Sequence, residues 1–249
     1  MFTFPLLNPW NIKSSYKLFT VLTNPLKFLK YLIFSSGHPM IGVRTPIGNL
    51  NILMRNRQSA RTLYSIFIRE DYYIDKNNKN ILDLGSNIGI SALYFLSRNH
   101  NNKILCIEAD PNNDYYLKKN LENFQDRSQI YFCAVGNADL KSIPFNLSID
   151  GKYSSIKDIG KKLKNTIKVN VISINNALKK GNFSNSYPIL MKIDVEGLEE
   201  ELIKNFDFKN NLRINELIAE GTGYKRFINR KGKLEVINGY VEKYSFQDF

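Results

Sequence analysis

Residues 80–89, NILDLGSNIG, constrain this chain more than any other stretch. A short apolar run over 81–84 ends on an acid–leucine–glycine turn, and a second run follows from 88 to 97 with apolar residues at 88, 90, 92, 93, 95 and 96. That pattern predicts a strand, a tight glycine turn and the start of a helix over 88–98. Glycine in such a turn lets a ligand approach bare backbone. The helix start adds unpaired N–H groups and partial positive charge, which suit a carboxylate or phosphate. A second strand, over 103–107, ends in Glu108. An acid at the end of the second strand of a nucleotide-binding α/β unit accepts hydrogen bonds from ribose hydroxyls.

The rhythm continues with a helix over 111–124, for which Asp110 is a good N-cap and Pro111 a good first residue, and a third strand over 129–134 that leads into Ala134-Val135-Gly136. Residues 139–175 interrupt it. Two pieces with strand character, 142–147 and 168–173, flank a polar, basic loop over 151–165 that carries Lys161, Lys162 and Lys164. Insertions of this kind commonly set specificity; a lysine run is equally the mark of a solvated surface. A short helix over 175–180 precedes the second informative stretch, ILMKIDVEGLEEELIKN at 189–205. Its strand ends in Asp194, then Glu196 and Gly197, and a helix follows. A further strand over 216–219 ends in Glu220. Asp194, Glu196 and Glu220 therefore belong at the C-terminal edge of the sheet, where open parallel sheets place ligands. Residues 224–249 read as a final β-hairpin turning near Gly239.

Upstream, 41–56 reads as a hairpin around Pro46–Gly48, 59–69 as helical, and Glu70-Asp71-Tyr72-Tyr73 as a segment poised to cover the ligand pocket, with Tyr72 either a ligand contact or a packing residue. Two units follow: an aromatic-rich, basic extension at 1–40 and an α/β domain at 41–249. The formal charge of +12 is concentrated, because no acidic residue precedes Glu70. A one-signed segment fits an anionic partner such as a membrane surface, an acidic glycan or a nucleic acid; an Asn/Lys/Ile-rich composition alone also produces it. Within it, residues 25–34 (PLKFLKYLIF) are a short helix able to rest on an anionic bilayer or to pack on the domain or a second subunit. The two cysteines, Cys106 and Cys133, fall in buried strands and read as core residues, so structural zinc is not expected. His38 and His100 are isolated. The start lacks the features of a signal peptide and no apolar run reaches the ~18–20 residues of a membrane span, which predicts a cytoplasmic protein, with membrane-peripheral attachment an option. The oligomeric state is left open.

The turn is not the dinucleotide fingerprint, since Asn87 stands where the second glycine would admit a pyrophosphate. The pattern Asp83, Gly85, Asn87, Gly89 resembles motif I of the class I S-adenosylmethionine-dependent methyltransferases. Together with KIDVEGLE at 192–199, IEADP at 107–111 and AVGN at 134–137, the chain resembles the FkbM-type methyltransferases from about residue 45 to 220. The resemblance implies a Rossmann-like α/β fold: a mostly parallel twisted sheet with a C-terminal antiparallel hairpin and helices on both faces. It implies S-adenosyl-L-methionine as cofactor, held by Asp83, Gly85, Ser86, Asn87, Gly89, Glu108, Ala109, Ala134 and Val135. It also implies a hydroxyl acceptor, commonly on a sugar or polyketide. Where the family commonly carries an Asp, this chain has Ala60 or Arg61, and residues 1–40 have no counterpart.

A sugar hydroxyl must lose its proton during or after methyl transfer, so a carboxylate base is expected: Asp194 first, Glu196 second, Glu220 third. Glu196 could instead stabilise a helix N-terminus, and Asp194 could contact the cofactor's amino group or support the motif I loop. The three acids could together hold Mg²⁺ or Ca²⁺, although no metal is assigned. Two other functions compete. An RNA 2′-O-methyltransferase would use the positive charge, but no Lys-Asp-Lys-Glu set can be laid out, and Asn-Pro-Pro-Tyr/Phe of base methylation is absent. A non-catalytic cofactor-binding protein is opposed by the intact motif I.

Overall fold

A computed structural model describes residues 14–148, 154–156 and 163–247. Residues 1–13 of the extension, and the side chains of Lys161, Lys162 and Lys164, lie outside them. In chain order the elements begin with helices α1 (Lys17–Val21) and α2 (Pro25–Phe34), hairpin strands β1 (Met40–Thr45) and β2 (Gly48–Leu53), and helix α3 (Arg57–Leu63). Helix α2 starts where the sequence signals it, with Pro25 in the first turn and the Asn24 side chain accepting from Lys27 N at 2.9 Å. Helix α3 opens with a capping box between Asn56 and Ser59 and continues without a break into a π-helical turn, Tyr64–Ile68. Such turns are frequent at functional sites, and Ile66 of this one lines a cleft described below.

The core follows: β3 (Asn80–Leu84), α4 (Ile90–Leu96), β4 (Lys103–Glu108), α5 (Asp114–Asn120), β5 (Ser128–Phe132), β6 (Ala134–Gly136), β7 (Leu140–Ser148), β8 (Leu163–Ser173) and α6 (Ile174–Lys180). The chain ends with β9 (Ile189–Ile193), α7 (Glu199–Asn205), β10 (Ile214–Glu220), β11 (Gly232–Ile237) and β12 (Val241–Phe246). The main sheet has seven strands in the order β11-β12-β10-β9-β3-β4-β5. Strands β10, β9, β3, β4 and β5 are mutually parallel; β12 is antiparallel to both of its neighbours. The fold class implied by the resemblance is therefore the one observed.

The central strands are apolar at nearly every position because both faces are covered. On one face Ile81, Ile104, Cys106, Leu190 and Ile218 meet Leu93, Phe95 and, from the N-terminal helices, Phe28 and Tyr31. On the other, Leu82, Leu105, Ile107, Met191 and Leu217 meet Ala177, Leu202 and Ile203 of α6 and α7. Both cysteines are free and buried, and burial pushes the Cys133 thiol up to about 12.

Several boundaries differ from the sequence reading, among them three around the core strands. Helix α4 begins at Ile90 rather than 88, because Asn87 (φ 50°) and Gly89 (φ 86°) are left-handed and cannot belong to a right-handed helix. The helix expected over 111–124 is a short α-helix flanked by single 3₁₀ turns. The third strand splits at Cys133: β5 stays at the edge of the main sheet, while β6 pairs with β8 in a separate three-stranded sheet, β6-β8-β7. The interruption at 139–175 is thus a hairpin laid against the end of the core.

Candidate active site

Strand order reverses between β3 and β9, and a cleft opens at the C-terminal ends of these strands, as expected at a topological switch point. It is open to solvent on one side. Seven of the nine residues expected to contact cofactor line it: Gly85, Ser86, Asn87, Glu108, Ala109, Ala134 and Val135. Asp83 and Gly89 stand behind the wall. Asp83 is fully buried and accepts from Ser91 Oγ at 2.7 Å. A Cβ on Gly89 would meet Leu117 of α5 at 2.9 Å.

Gly85 also serves a purpose different from the expected one. A Cβ there would stand 1.8 Å from the Asp194 carbonyl oxygen. The missing side chain admits the end of β9, not a ligand, so the two loops can touch. Glu108 is similarly engaged by the protein. Its carboxylate accepts from Asn87 N at 2.6 Å, Asp110 N at 2.7 Å and Asn113 Nδ2 at 3.2 Å. Burial outweighs these bonds and raises its pKa above the usual carboxylate value. This acid therefore holds the motif I loop against the end of β4 and still presents an edge to the cleft.

Lys192, on β9, is the residue that sequence reasoning missed. Its side chain is buried, and its Nζ donates to Gly85 O at 2.7 Å and Leu84 O at 3.3 Å. The same ammonium lies 3.1 Å from Asp83 Oδ1 and 3.6 Å from Asp194 Oδ2. Burial disfavours its charge, but the two carboxylates prevail and its pKa is raised. The signal was present: a lysine inside an otherwise apolar five-residue strand requires a buried counter-charge, and Asp83 is its direct neighbour in the β3–β9 register.

Asp194 follows β9. Its carboxylate is partly exposed, and Tyr72 Oη donates to its Oδ2 at 3.1 Å. Tyr72 is buried, its ring parallel to Phe95 with centroids 6.3 Å apart. Burial, then the Asp194 and Glu220 charges, push its phenol well above the ordinary value, so it remains a donor. Oxygens of Asp194, Glu196 and Glu220 lie within 4.8 Å of one another, so the three candidate acids do converge. Glu196 holds a left-handed backbone (φ 52°). It is Glu199, not Glu196, that caps the loop, accepting from Val195 N and Gly197 N at 2.9 Å each.

A second cleft shares Gln58, Thr62, Ile66, Tyr72 and Asp194 with the first and continues past Arg61, Glu220 and Tyr240. Asp71, buried and bonded by Arg69, Asn238 and Tyr240, anchors the β11–β12 turn to this wall. Of the two residues that could stand in place of the Asp expected from the resemblance, Ala60 is buried in the core, whereas Arg61 is exposed at this cleft and donates to Gln58 Oε1 at 2.9 Å.

A doubly wound sheet of this order, with a cleft at the switch point and an acid ending its second core strand, is the architecture of a nucleotide- or nucleoside-binding α/β domain. A family model described as the methyltransferase FkbM domain matches residues 83–245, well over half of the chain, and the chain belongs to that family. The match starts at Asp83, later than the expected residue 45, and runs on through most of β12. Solved structures give fold-level likenesses. Precorrin-6y C5,15-methyltransferase from Geobacter metallireducens GS-15 is 8% identical, with 78% of this chain and 90% of that one covered at a TM-score of 0.41. The N-terminal domain of human METTL16 in complex with S-adenosylhomocysteine is 14% identical over 76% and 68%, at 0.40. An RNA methyltransferase from Salinibacter ruber in complex with S-adenosyl-L-homocysteine is 11% identical over 71% and 85%, at 0.36. No curated protein sequence matches the chain. S-adenosylmethionine is the cofactor, and the first cleft fits it: a buried acid, Glu108, stands beside an apolar slot formed by Ala109, Ala134, Val135 and Phe145.

Proposed function

We propose that the chain is an O-methyltransferase acting on a hydroxyl of a sugar, in a polysaccharide, glycolipid or glycan. The observation that carries this reading is the meeting of the two clefts at Asp194, with Glu196 on the first and Glu220 on the second. The second cleft is lined by short polar groups, Gln58, Thr62, Ser65 and Tyr240, which match the donors and acceptors of a polyol. The edge where the two clefts meet carries the carboxylates of Asp194, Glu196 and Glu220, which repel a phosphodiester backbone but not a neutral sugar.

The cofactor, when bound, supplies a methyl group already activated on a sulfonium. Glu108 would hold its ribose hydroxyls, Ala109, Ala134 and Val135 would flank its adenine, and Ser86 and Asn87 would border its methionine end. Asp194 accepts the acceptor's proton, with Tyr72 and Lys192 fixing its carboxylate. Glu220 and Glu196 orient the acceptor and serve as secondary proton acceptors. Alignment of the nucleophile supplies much of the rate in such a reaction.

The test is incubation of the purified chain with methyl-tritiated S-adenosylmethionine and host extract, then separation into glycan, lipid, RNA and protein fractions. Base-stable label in glycan or lipid is expected. Label confined to RNA would overturn the assignment in favour of 2′-O-methylation. Label in none of the fractions, with cofactor still bound, would also reject a polymeric or lipid-linked sugar.

A further inference from the structure

Helix α2 buries one face and leaves the opposite one bare. Phe28, Tyr31 and Leu32 point into the core. Leu26, Lys30, Ile33 and Phe34, spaced i, i+4, i+7 and i+8, share the outward face. Leu26 is 74% exposed, Phe34 67% and Ile33 45%. The preceding turn and α1 add Tyr16 at 67% and Phe19 at 65%. Of the thirteen large hydrophobic residues exposed among the described residues, six lie between 16 and 40. Clustering of that kind marks an interaction surface, whereas scattered single residues do not.

Charge selects the partner. The segment has no carboxylate before Glu70. Several of its cations already have internal tasks. Lys17 pairs with Glu70 at 2.6 Å, Arg44 donates to carbonyls of α1 and Leu22, and Arg57 donates to Ser35 and Ile33. Lys27 and Lys30 have no ion-pair partner among the described residues. They stand beside Leu26 and Phe34, and apolar side chains interleaved with lysines are what a headgroup–acyl boundary of anionic lipid accepts. Two other partners fit less well. An isologous contact between copies would set lysine against lysine. A nucleic-acid backbone offers no apolar environment for Leu26, Ile33 and Phe34. Among the described residues no helix is long and apolar enough to cross a membrane, so contact would be peripheral.

We propose that the exposed face of residues 16–40 docks the enzyme on an anionic bilayer. This surface stands independently of which hydroxyl is methylated. The full chain is sedimented with vesicles of phosphatidylcholine, with and without phosphatidylglycerol, at low and high salt. Binding is expected to the anionic vesicles only, and to weaken with salt. Lys27→Gln with Lys30→Gln lowers partitioning about 25-fold, about 5-fold for each lysine. Leu26→Ser and Phe34→Ser each lower it about 10-fold if roughly half of the side chain enters the lipid. Because these side chains are exposed, melting temperature and cofactor affinity stay unchanged. The proposal is overturned by no sedimentation with anionic vesicles or by equal sedimentation with neutral ones. It is also overturned by variants that bind as well as the parent, by a dimer that the serine variants dissociate, or by RNA retention that tracks the same substitutions.

Discussion

Lys192→Met tests whether the buried ammonium is what joins the two halves of the site. Methionine keeps much of the stem's volume, so the change removes the charge and the donors while creating little cavity. Asp83 Oδ1, fully buried, loses the ammonium at 3.1 Å; Gly85 O loses a 2.7 Å bond, and Asp194 a cation at 3.6 Å. Removing one member of a buried pair costs about 3–5 kcal/mol, because the other charge remains unpaired. For a domain of this size, each kcal/mol moves the melting temperature by about 2–4 °C, so a fall of roughly 6–20 °C is expected. The loss should be flat with pH around neutrality. A lysine whose folded pKa is raised contributes stability that is fully present below its unfolded value of about 10.4 and is lost only as pH rises through the folded value. Asp83→Asn combined with Lys192→Met removes both charges and leaves Ser91 an acceptor, so the double variant should be at least ~1 kcal/mol more stable than the sum of the singles predicts. Urea denaturation of the four proteins reads the cycle. A single variant within ~1 kcal/mol of the parent, or strict additivity in the double, would refute the reasoning.

Four other outcomes follow from the same geometry. Asp194→Asn should lower kcat about 10²–10⁴-fold, the usual range for a proton acceptor, with S-adenosylhomocysteine affinity within a few-fold; single-turnover kinetics showing a loss under 5-fold would remove Asp194 from the proton-accepting role. Glu108→Ala should abolish detectable cofactor binding by calorimetry, and unchanged affinity would reject the ribose contact. In the parent, affinity should fall as pH drops through the Glu108 pKa; since burial raises it, the fall begins above the ordinary value of about 4.3, and a flat profile down to that pH would contradict it. Gly85→Ala places a Cβ on the Asp194 carbonyl at a left-handed φ of 83°, so soluble expression or cofactor binding should be lost, and a protein with parental melting temperature would show that the two loops do not meet as described.

Much of this was readable because the decisive segments are local. Residues 80–89 carry their own strand, turn and helix signals, and the acids that end β4, β9 and β10 are one step beyond apolar runs. Strand order could be inferred only through the family resemblance, but the convergence of Asp194, Glu196 and Glu220 on one edge follows once β9 and β10 are parallel neighbours. What sequence could not supply was contact across distance. Gly85 reads as a ligand-facing glycine until the Asp194 carbonyl is seen opposite it. Lys192 reads as part of a motif until the register sets it beside Asp83. The π-helical turn at Tyr64–Ile68 has no sequence signature that separates it from an ordinary helix end. The departure of β6 into a second sheet depends on a partner, β8, some 37 residues away at Ala134–Val171.

The two motifs that identify the family, around residues 83–89 and 192–199, are consequently one structural object. Asp194 N donates to Leu84 O at 3.1 Å. Its carbonyl occupies the space a side chain on Gly85 would need, and Lys192 reaches back to Gly85 O and Asp83. The motif I loop that lines the first cleft is therefore shaped by the strand that presents the proposed base. This ties the motif I loop to the end of β9 through short, mostly buried bonds. In-line transfer depends on the relative placement of donor and acceptor to within tenths of an ångström to an ångström. A cross-link of this kind gives a buried lysine a structural task in a strand where an apolar residue would pack at lower cost.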